Sequence, residues 1–140
     1  MKIRPASLDD AASIARLLEE LGYPQPPEFV HNRLQSVFVD ADQRVWVAED
    51  EAQVLGFIAF LAYPYFHAVG KQGRIIALCV TEANRGKGVG RALVEHSESF
   101  ARSCGCVRME VTTGIQRLRT HTFYEQMGYK ETSKRYLKDL

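Results

Sequence analysis

The stretch Arg85-Gly86-Lys87-Gly88-Val89-Gly90-Arg91 decides the fold, because it joins the apolar run 75–80 to an amphipathic segment, residues 89–104. The pattern predicts a strand that ends in a glycine-rich turn and continues directly into a helix. At such a junction the first N–H groups of the helix have no partner in the chain and lie at the positive end of the helix dipole. The three glycines let a ligand approach the backbone, and the three basic residues add positive charge. The stretch is therefore typical of an anion site, and it predicts a ligand that carries a pyrophosphate.

The spacing of the glycines argues against two common pyrophosphate-binding motifs. A Walker A loop needs a Ser or Thr directly after its Gly-Lys pair, and no hydroxyl residue follows Lys87. The dinucleotide fingerprint needs G-x-G-x-x-G, whereas Gly86, Gly88 and Gly90 are spaced at two-residue intervals and no suitably placed acid ends the next strand. The ligand is therefore expected to be neither a P-loop nucleotide nor a dinucleotide.

The stretch does resemble the acyl-CoA pyrophosphate loop of the GNAT superfamily of N-acetyltransferases. The motif of that loop is Gln/Arg-x-x-Gly-x-Gly/Ala, and it follows a strand that reads Leu-x-Val. Arg85, Gly88 and Gly90 match the loop motif, and Leu78 and Val80 match the strand.

A second segment carries the same resemblance. Residues 123–129, Phe-Tyr-Glu-Gln-Met-Gly-Tyr, are similar to the family's aromatic-Tyr-Glu-x-x-Gly-aromatic helix end. The two motifs have the order and separation that the family shows, which is much more specific than either motif alone. The resemblance covers most of the chain.

Length and composition indicate one soluble globular domain over residues 1–140. The chain is 46% hydrophobic and 25% charged, and its net charge of +1 gives no reason to expect a nucleic acid or membrane partner. The longest apolar stretch, residues 54–63, is too short to span a bilayer, and residues 1–5 do not resemble a signal peptide. We therefore expect a cytoplasmic protein.

The three cysteines predict neither a disulfide framework nor a metal site. They are Cys79, Cys104 and Cys106. Their odd number argues against paired bridges, and the Cys-Gly-Cys spacing is not that of a zinc site. No metal is expected.

Hydrophobic periodicity predicts an α/β fold with the element order β-α-α-β-β-β-α-β-α-β. The sheet is expected to be mixed but mostly antiparallel, with six to seven strands and helices on both faces, which is also what the GNAT resemblance implies. The elements expected on either side of the glycine loop are an edge strand at 2–6, helices at 7–21 and 26–38, a hairpin at 44–61, a loop at 64–73, a strand at 107–112, a helix at 116–127 and a closing strand or hairpin at 129–137. The resemblance further implies that the strands ending at Val80 and starting at Val107 splay apart, so that a pantetheine arm pairs with the free edge.

The resemblance implies transfer of an acetyl group from acetyl-CoA to a primary amine of a small molecule or peptide, by direct attack in a ternary complex. Tyr124 matches the tyrosine that protonates the leaving thiolate, and a phenol with a pKa of about 10 stays protonated at neutral pH. The backbone N–H of Val80 is expected to meet the oxyanion. The expected cofactor contacts are Leu78, Cys79, Val80, Arg85, Gly86, Lys87, Gly88, Val89, Gly90, Arg91 and Arg117.

Two departures from the family pattern leave parts of the site open. Many members carry a glutamate early on the strand before the loop, where this chain has no carboxylate, and Arg117 stands where an asparagine is common. The base, if one is needed, is then Glu110, His67, His31 or His121.

The expected acceptor contacts are Tyr23, Phe29, His31 and His67, each of which has a purely structural alternative. Two other functions stay open, a catalytically silent acyl-CoA-binding regulatory domain and a nucleotide-binding module. An exposed edge strand at either terminus can pair two copies into a dimer.

Overall fold

Five strands and four helices build the protein in a computed structural model that describes all residues, 1–140. Two single-turn 3₁₀ helices, Leu8–Asp10 and Glu82–Asn84, precede the first and third α-helices. The elements are β1 (Lys2–Pro5), α1 (Ala11–Leu21), α2 (Pro27–Phe38), β2 (Gln43–Asp50), β3 (Gln53–Pro64), β4 (Lys71–Val80), α3 (Val89–Ser103), β5 (Cys106–Val111) and α4 (Leu118–Gln126). None of the helices is long and apolar enough to cross a bilayer.

The strands form one sheet in the order β1-β2-β3-β4-β5. The first three pairs are antiparallel and the β4–β5 pair is parallel, so the expectation of a mixed, mostly antiparallel sheet is confirmed. The hairpin between β2 and β3 turns at Glu51 and Ala52, whose φ angles of 47° and 64° match the twist of the strands that they join.

Helices cover both faces of the sheet, as predicted. On the face that we call the α1/α2 face, the apolar stripes of α1 and α2 pack against β2 to β4; the buried residues there include Leu17, Val30, Leu34, Val47 and Phe57. On the opposite α3/α4 face, α3 and α4 pack against the alternate side chains of the same strands; these include Ile58, Phe60, Ile75, Leu93, Val94 and Tyr124. β3 is therefore a central strand that is apolar on both faces.

The expected closing strand is absent, and the prediction of six to seven strands is wrong. Residues 130–140 form no helix or strand and are exposed. Nine of the ten residues from Lys130 to Asp139 carry a charge or a hydroxyl, and the side chains of Tyr136 and Leu137 are 86% and 75% exposed. So little apolar surface gives this segment no driving force to pair with the edge of β5.

The predicted loop at 64–73 is shorter than expected, because β3 continues to Pro64 and β4 already begins at Lys71. Gly73, the last residue of the predicted loop, lies inside β4. A Cβ atom there would stand 2.6 Å from Met109 Sδ and 2.8 Å from Phe60 Cε2, so the glycine serves close packing.

An irregularity in β4 opens the sheet on one side. β4 pairs with β5 only from Lys71 to Ile75. On its other side the register with β3 passes from Phe60↔Ile75 to Ala59↔Ala77, so Ile76 is an additional, bulged residue. A bulge bends its strand and increases the local twist, which directs residues 76–80 away from β5. The gap that results is the splay that the family resemblance implies.

Close packing of Gly56 against β4 gives a test of this architecture. An Ala at position 56 would place its Cβ 2.7 Å from the Cys79 carbonyl oxygen and 3.3 Å from Leu93 Cδ1. Gly56→Ala is expected to lower the free energy of unfolding by about 1–3 kcal/mol, measured by urea denaturation. Gly90→Ala is the matched control, because a Cβ there meets Phe123 at an ordinary 3.4 Å. A Gly56→Ala variant as stable as the control would contradict the packing.

Candidate active site

The turn before α3 presents a continuous row of free backbone donors. No N–H group from Gly86 to Arg91 donates to a protein acceptor, and the first bond of α3 runs from Ala92 N to Gly88 O over 3.0 Å. Gly86 and Gly88 hold this shape with φ angles of 77° and 85°, which favour glycine. A Cβ atom on either glycine would meet nothing within 4 Å, so the donors are open to a ligand. The turn is a preformed anion site.

The basic residues of the turn differ in their surroundings. Arg85 folds back, and its Nε donates to the Val80 carbonyl over 3.3 Å. Arg91 shares its charge with Glu95 in an exposed pair at 3.3 Å. Lys87 is exposed and has no ion-pair partner. Lys87 and the outer donors of Arg85 are therefore available to an anion on the turn.

The main chain of β4 faces the gap at Leu78 and Val80. The N–H of Thr81 donates to Leu55 of β3 over 2.8 Å. Because alternate residues of a strand direct their backbone groups to opposite sides, Val80 and Leu78 direct theirs away from β3. The Arg85 contact with the Val80 carbonyl agrees with this orientation.

Cys79 has the opposite orientation. Its Sγ donates to the Leu17 carbonyl of α1 over 3.0 Å, and its side chain belongs to the α1/α2 face. Burial raises the pKa of this thiol to about 11. The structure therefore separates Cys79 from its neighbours Leu78 and Val80, whose backbone groups face the gap.

Tyr124 lies in the core of the α3/α4 face and is only 6% exposed. Its ring packs edge-on against Phe123 and Tyr129, with centroids 5.0 and 5.4 Å away. Phe123 in turn lies against Gly90, which fixes α4 to the start of α3. Burial raises the pKa of Tyr124 above its ordinary value, so the phenol is protonated at neutral pH. Its hydroxyl has no protein partner, but it is not among the fully enclosed unpaired groups and so keeps access to open space.

Glu110 lies directly opposite Arg74 in the register, one pair before the gap opens. Its Oε1 accepts from the Tyr63 hydroxyl and from Arg74 Nη1, the latter over 3.0 Å. Arg74 Nη2 also donates to Thr112 Oγ1 over 2.9 Å. Burial, and then the bond to Glu110, raise the pKa of Tyr63 to about 12. These partners orient the carboxylate and leave Oε2 without a protein donor.

The sequence missed Tyr63 and Arg74 as partners of Glu110. Alternation in β5 indicated a polar face that carries Glu110, but the strand opposite that face was not known. The bulge at Ile76 shifts the register between β3 and β4, and no local sequence pattern predicts this bulge.

The remaining predicted residues lie apart from this cluster. Tyr23 and Phe29 are 60% and 40% exposed, and Arg33 stacks over the Phe29 ring at 5.4 Å. His31 lies on α2, and His67 is exposed in the β3–β4 loop with its ring 5.7 Å from Tyr65. None of them forms a hydrogen bond with Glu110 or Tyr124.

His121 and Arg117 organise the segment between β5 and α4. His121 Nε2 contacts the Gly114 carbonyl over 2.8 Å, which engages one of its two ring nitrogens. Arg117 precedes α4, and its Nη2 reaches the Leu21 carbonyl at the end of α1 over 3.5 Å. Neither side chain contacts the turn at 86–91. The structure contains no cluster of three or more His, Cys, Asp or Glu side chains with the geometry of a metal site.

Fold and site together combine a row of free backbone donors at a helix start with an open sheet edge. The chain belongs to the family described as the acetyltransferase (GNAT) family, whose model matches residues 9–129. This confirms the resemblance drawn from the two sequence motifs.

Three comparisons illustrate the membership. An uncharacterised N-acetyltransferase of Chlorobaculum tepidum is 31% identical over 96% of this chain and 78% of its own. The aminoalkylphosphonate N-acetyltransferase of Salmonella typhimurium is 27% identical over 99% of this chain and 91% of its own. A crystal structure described as a transcriptional regulator from Bacillus halodurans superposes with a TM-score of 0.91 at 25% identity and covers 99% of both chains.

Some relatives are much longer than this chain. It matches three rat N-acetyltransferases at 32%, 32% and 29% identity, and it spans only 45%, 42% and 46% of their lengths.

The orientation of Cys79 is testable with a thiol reagent. In a variant that keeps Cys79 but carries Cys104→Ser and Cys106→Ser, iodoacetamide at pH 8 is expected to modify the folded protein about 100-fold more slowly than the urea-unfolded protein. The reason is that alkylation needs the thiolate, and a pKa raised from 9.0 to about 11 lowers the thiolate fraction by that factor. Mass spectrometry measures the rate. Rapid modification that acetyl-CoA blocks would instead place the thiol in the gap.

Proposed function

We propose that the protein is an N-acetyltransferase that moves an acetyl group from acetyl-CoA to a primary amine of a small molecule or peptide. One observation carries the proposal: the free N–H groups of residues 86–91 lie at the end of β4, whose edge is unpaired over residues 76–80. In an acyl-CoA, the pyrophosphate can bind the free N–H groups, and the extended chain with its amides can pair with the free edge of β4. A simple nucleotide has no counterpart for the free edge.

The residues of the turn bind the cofactor. The N–H groups from Gly86 to Arg91 bind the pyrophosphate, and Lys87 and Arg85 add positive charge. The backbone groups of Leu78 and Val80 pair with the pantetheine amides in the manner of an additional strand.

The transfer needs a donor for the oxyanion and an acid for the leaving group. The amine nitrogen attacks the thioester carbonyl carbon, and the Val80 N–H stabilises the charge that develops on the carbonyl oxygen. When the carbon–sulfur bond breaks, Tyr124 gives its proton to the thiolate, and the proton released by the nitrogen restores the phenol through solvent. Acetylated amine and CoA thiol are the products.

Glu110 serves the acceptor side of the same reaction. Its Oε1 is occupied by Tyr63 and Arg74, whereas Oε2 is free to accept the proton of the attacking amine through water. We assign Tyr23, Phe29, His31 and His67 to the acceptor, since the α1–α2 segment adjoins the α1/α2 face and the β3–β4 loop carries two aromatic residues and a histidine. A cytoplasmic location and pairing of two copies through an edge strand complete the proposal.

Tyr124→Phe tests the acid. Release of CoA thiol with an accepted amine is expected to fall by about 10²- to 10⁴-fold in kcat, because the leaving thiolate no longer receives a proton, while the affinity for acetyl-CoA stays unchanged.

Tyr129→Phe is the matched control, because its hydroxyl donates to Glu98 over 2.8 Å in the same core and takes no part in the transfer. The control should retain the wild-type rate. Equal rates in both variants would remove Tyr124 from the mechanism. Tight acetyl-CoA binding without thiol release from any amine would indicate a silent acyl-CoA-binding domain.

A further inference from the structure

Arg117 crosses the open end of the gap from one face of the sheet to the other. It precedes α4, which packs on the α3/α4 face, and its guanidinium contacts the Leu21 carbonyl at the end of α1, on the α1/α2 face. β4 and β5 are parallel, so both end at this same edge of the sheet. The guanidinium therefore stands at the mouth of the gap on the side opposite the turn at 86–91.

The charge of Arg117 has no carboxylate partner. Arg4 and Arg74 both pair with carboxylates, whereas Arg117 makes a single long contact, 3.5 Å, with a neutral carbonyl. A guanidinium has five N–H donors, so most of those of Arg117 have no protein acceptor. An oxyanion is the partner that best matches such a planar, half-buried group.

Charges of both signs surround the Cys79 thiol at this mouth. After burial, the groups that act on the pKa of this thiol are Glu20, which raises it, and Arg85 and Arg117, which lower it. Glu20 already accepts the N–H of Glu82 over 3.2 Å. Arg117 is therefore one of two cations at this mouth, beside one carboxylate whose effect on the thiol is the largest of the three.

The other charged pair near the gap is already neutralised. Glu110 and Arg74 hold each other at 3.0 Å, so neither offers an uncompensated charge to an acceptor. An acceptor that approaches from the α1/α2 face would therefore meet Arg117, a cation most of whose N–H donors have no protein acceptor.

We propose that Arg117 binds an oxyanion carried by the acceptor, so that this protein selects amines bearing a nearby carboxylate, sulfonate, phosphonate or phosphate. This inference rests on the proposed function and names the acceptor class of that site. It assigns Arg117 to the acceptor, whereas the family pattern led us to expect it at the cofactor.

Amines of equal length that differ only in their second group test the selection. CoA-thiol release is measured with 2-aminoethylphosphonate, taurine and β-alanine, and with ethanolamine and ethylenediamine as uncharged and cationic counterparts. The anionic amines are expected to exceed both counterparts in kcat/KM by about 10- to 100-fold, the worth of hydrogen bonds to a charged group.

Arg117→Gln should abolish this preference by raising KM for the anionic amines, with KM for acetyl-CoA unchanged. Arg119→Gln is the control, because Arg119 is exposed on the same helix and makes no hydrogen bond or ion pair. Ethanolamine or ethylenediamine used as well as the anionic amines would overturn the inference. So would an Arg117→Gln variant whose defect lies in the KM for acetyl-CoA, since the residue would then bind a cofactor phosphate.

A binding measurement separates this inference from the proposed function. The same amines are titrated into the wild-type protein and both variants in the presence of CoA, and the change in melting temperature is recorded. If 2-aminoethylphosphonate raises the melting temperature and only Arg117→Gln removes this stabilisation, the oxyanion site is supported. This holds even if no thiol is released, because the lack of thiol release would contradict only the proposed acetyl transfer. Turnover without any preference for anionic amines would support the transfer and overturn the oxyanion site.

Discussion

The structure depends on the point where β4 leaves β5. Pairing between the two parallel strands stops at Ile75, and the bulge at Ile76 bends the rest of β4 away. The unpaired edge of β4 carries backbone N–H and C=O groups that need hydrogen-bond partners. The next helix along the chain, α3, begins shortly after this edge ends. The free edge of β4 and the free N–H groups at the start of α3 therefore lie next to each other. Together they suit a ligand that is polar along its whole length.

Packing on the two faces fixes the reacting groups relative to this gap. Gly56 allows β3, β4 and α3 to approach closely, and Phe123 against Gly90 holds α4 to the first turn of α3. Tyr124 therefore cannot move without the anion site moving with it. On the other face, Tyr63 of β3 and Arg74 of β4 hold Glu110, so this carboxylate beside the gap has a set orientation. The proposed acid, Tyr124, and the proposed base, Glu110, thus lie on opposite faces of the sheet, and we propose that cofactor and acceptor approach from these separate sides.

Much of this was predictable because the decisive signals are local. The glycine turn and the helix stops follow from backbone preferences of a few residues, and the hairpin follows from a polar turn between two apolar strands. The two spaced motifs identified the family. What failed depends on distant partners. Gly73 was placed in the loop at 64–73, because its packing against Met109 and Phe60 cannot be derived from the sequence alone. A closing strand or hairpin was expected at 129–137, although residues 130–140 have too little apolar surface to bury. The pairing of Glu110 with Arg74 needed the register, and the path of Arg117 to α1 needed the whole fold.

The affinity of two glycine variants for acetyl-CoA tests the central claim, that the row of N–H groups at 86–91 binds the pyrophosphate. Gly88 and Gly105 have nearly the same φ, 85° and 88°, and a Cβ on either would meet no protein atom within 4 Å. Alanine at either position should therefore cost a similar backbone strain, about 1 kcal/mol. By calorimetric titration, Gly88→Ala is predicted to weaken acetyl-CoA binding by at least about tenfold, because it distorts the row of donors, whereas Gly105→Ala at the far end of α3 should bind as the wild type does. Equal affinities in the two variants would contradict the account.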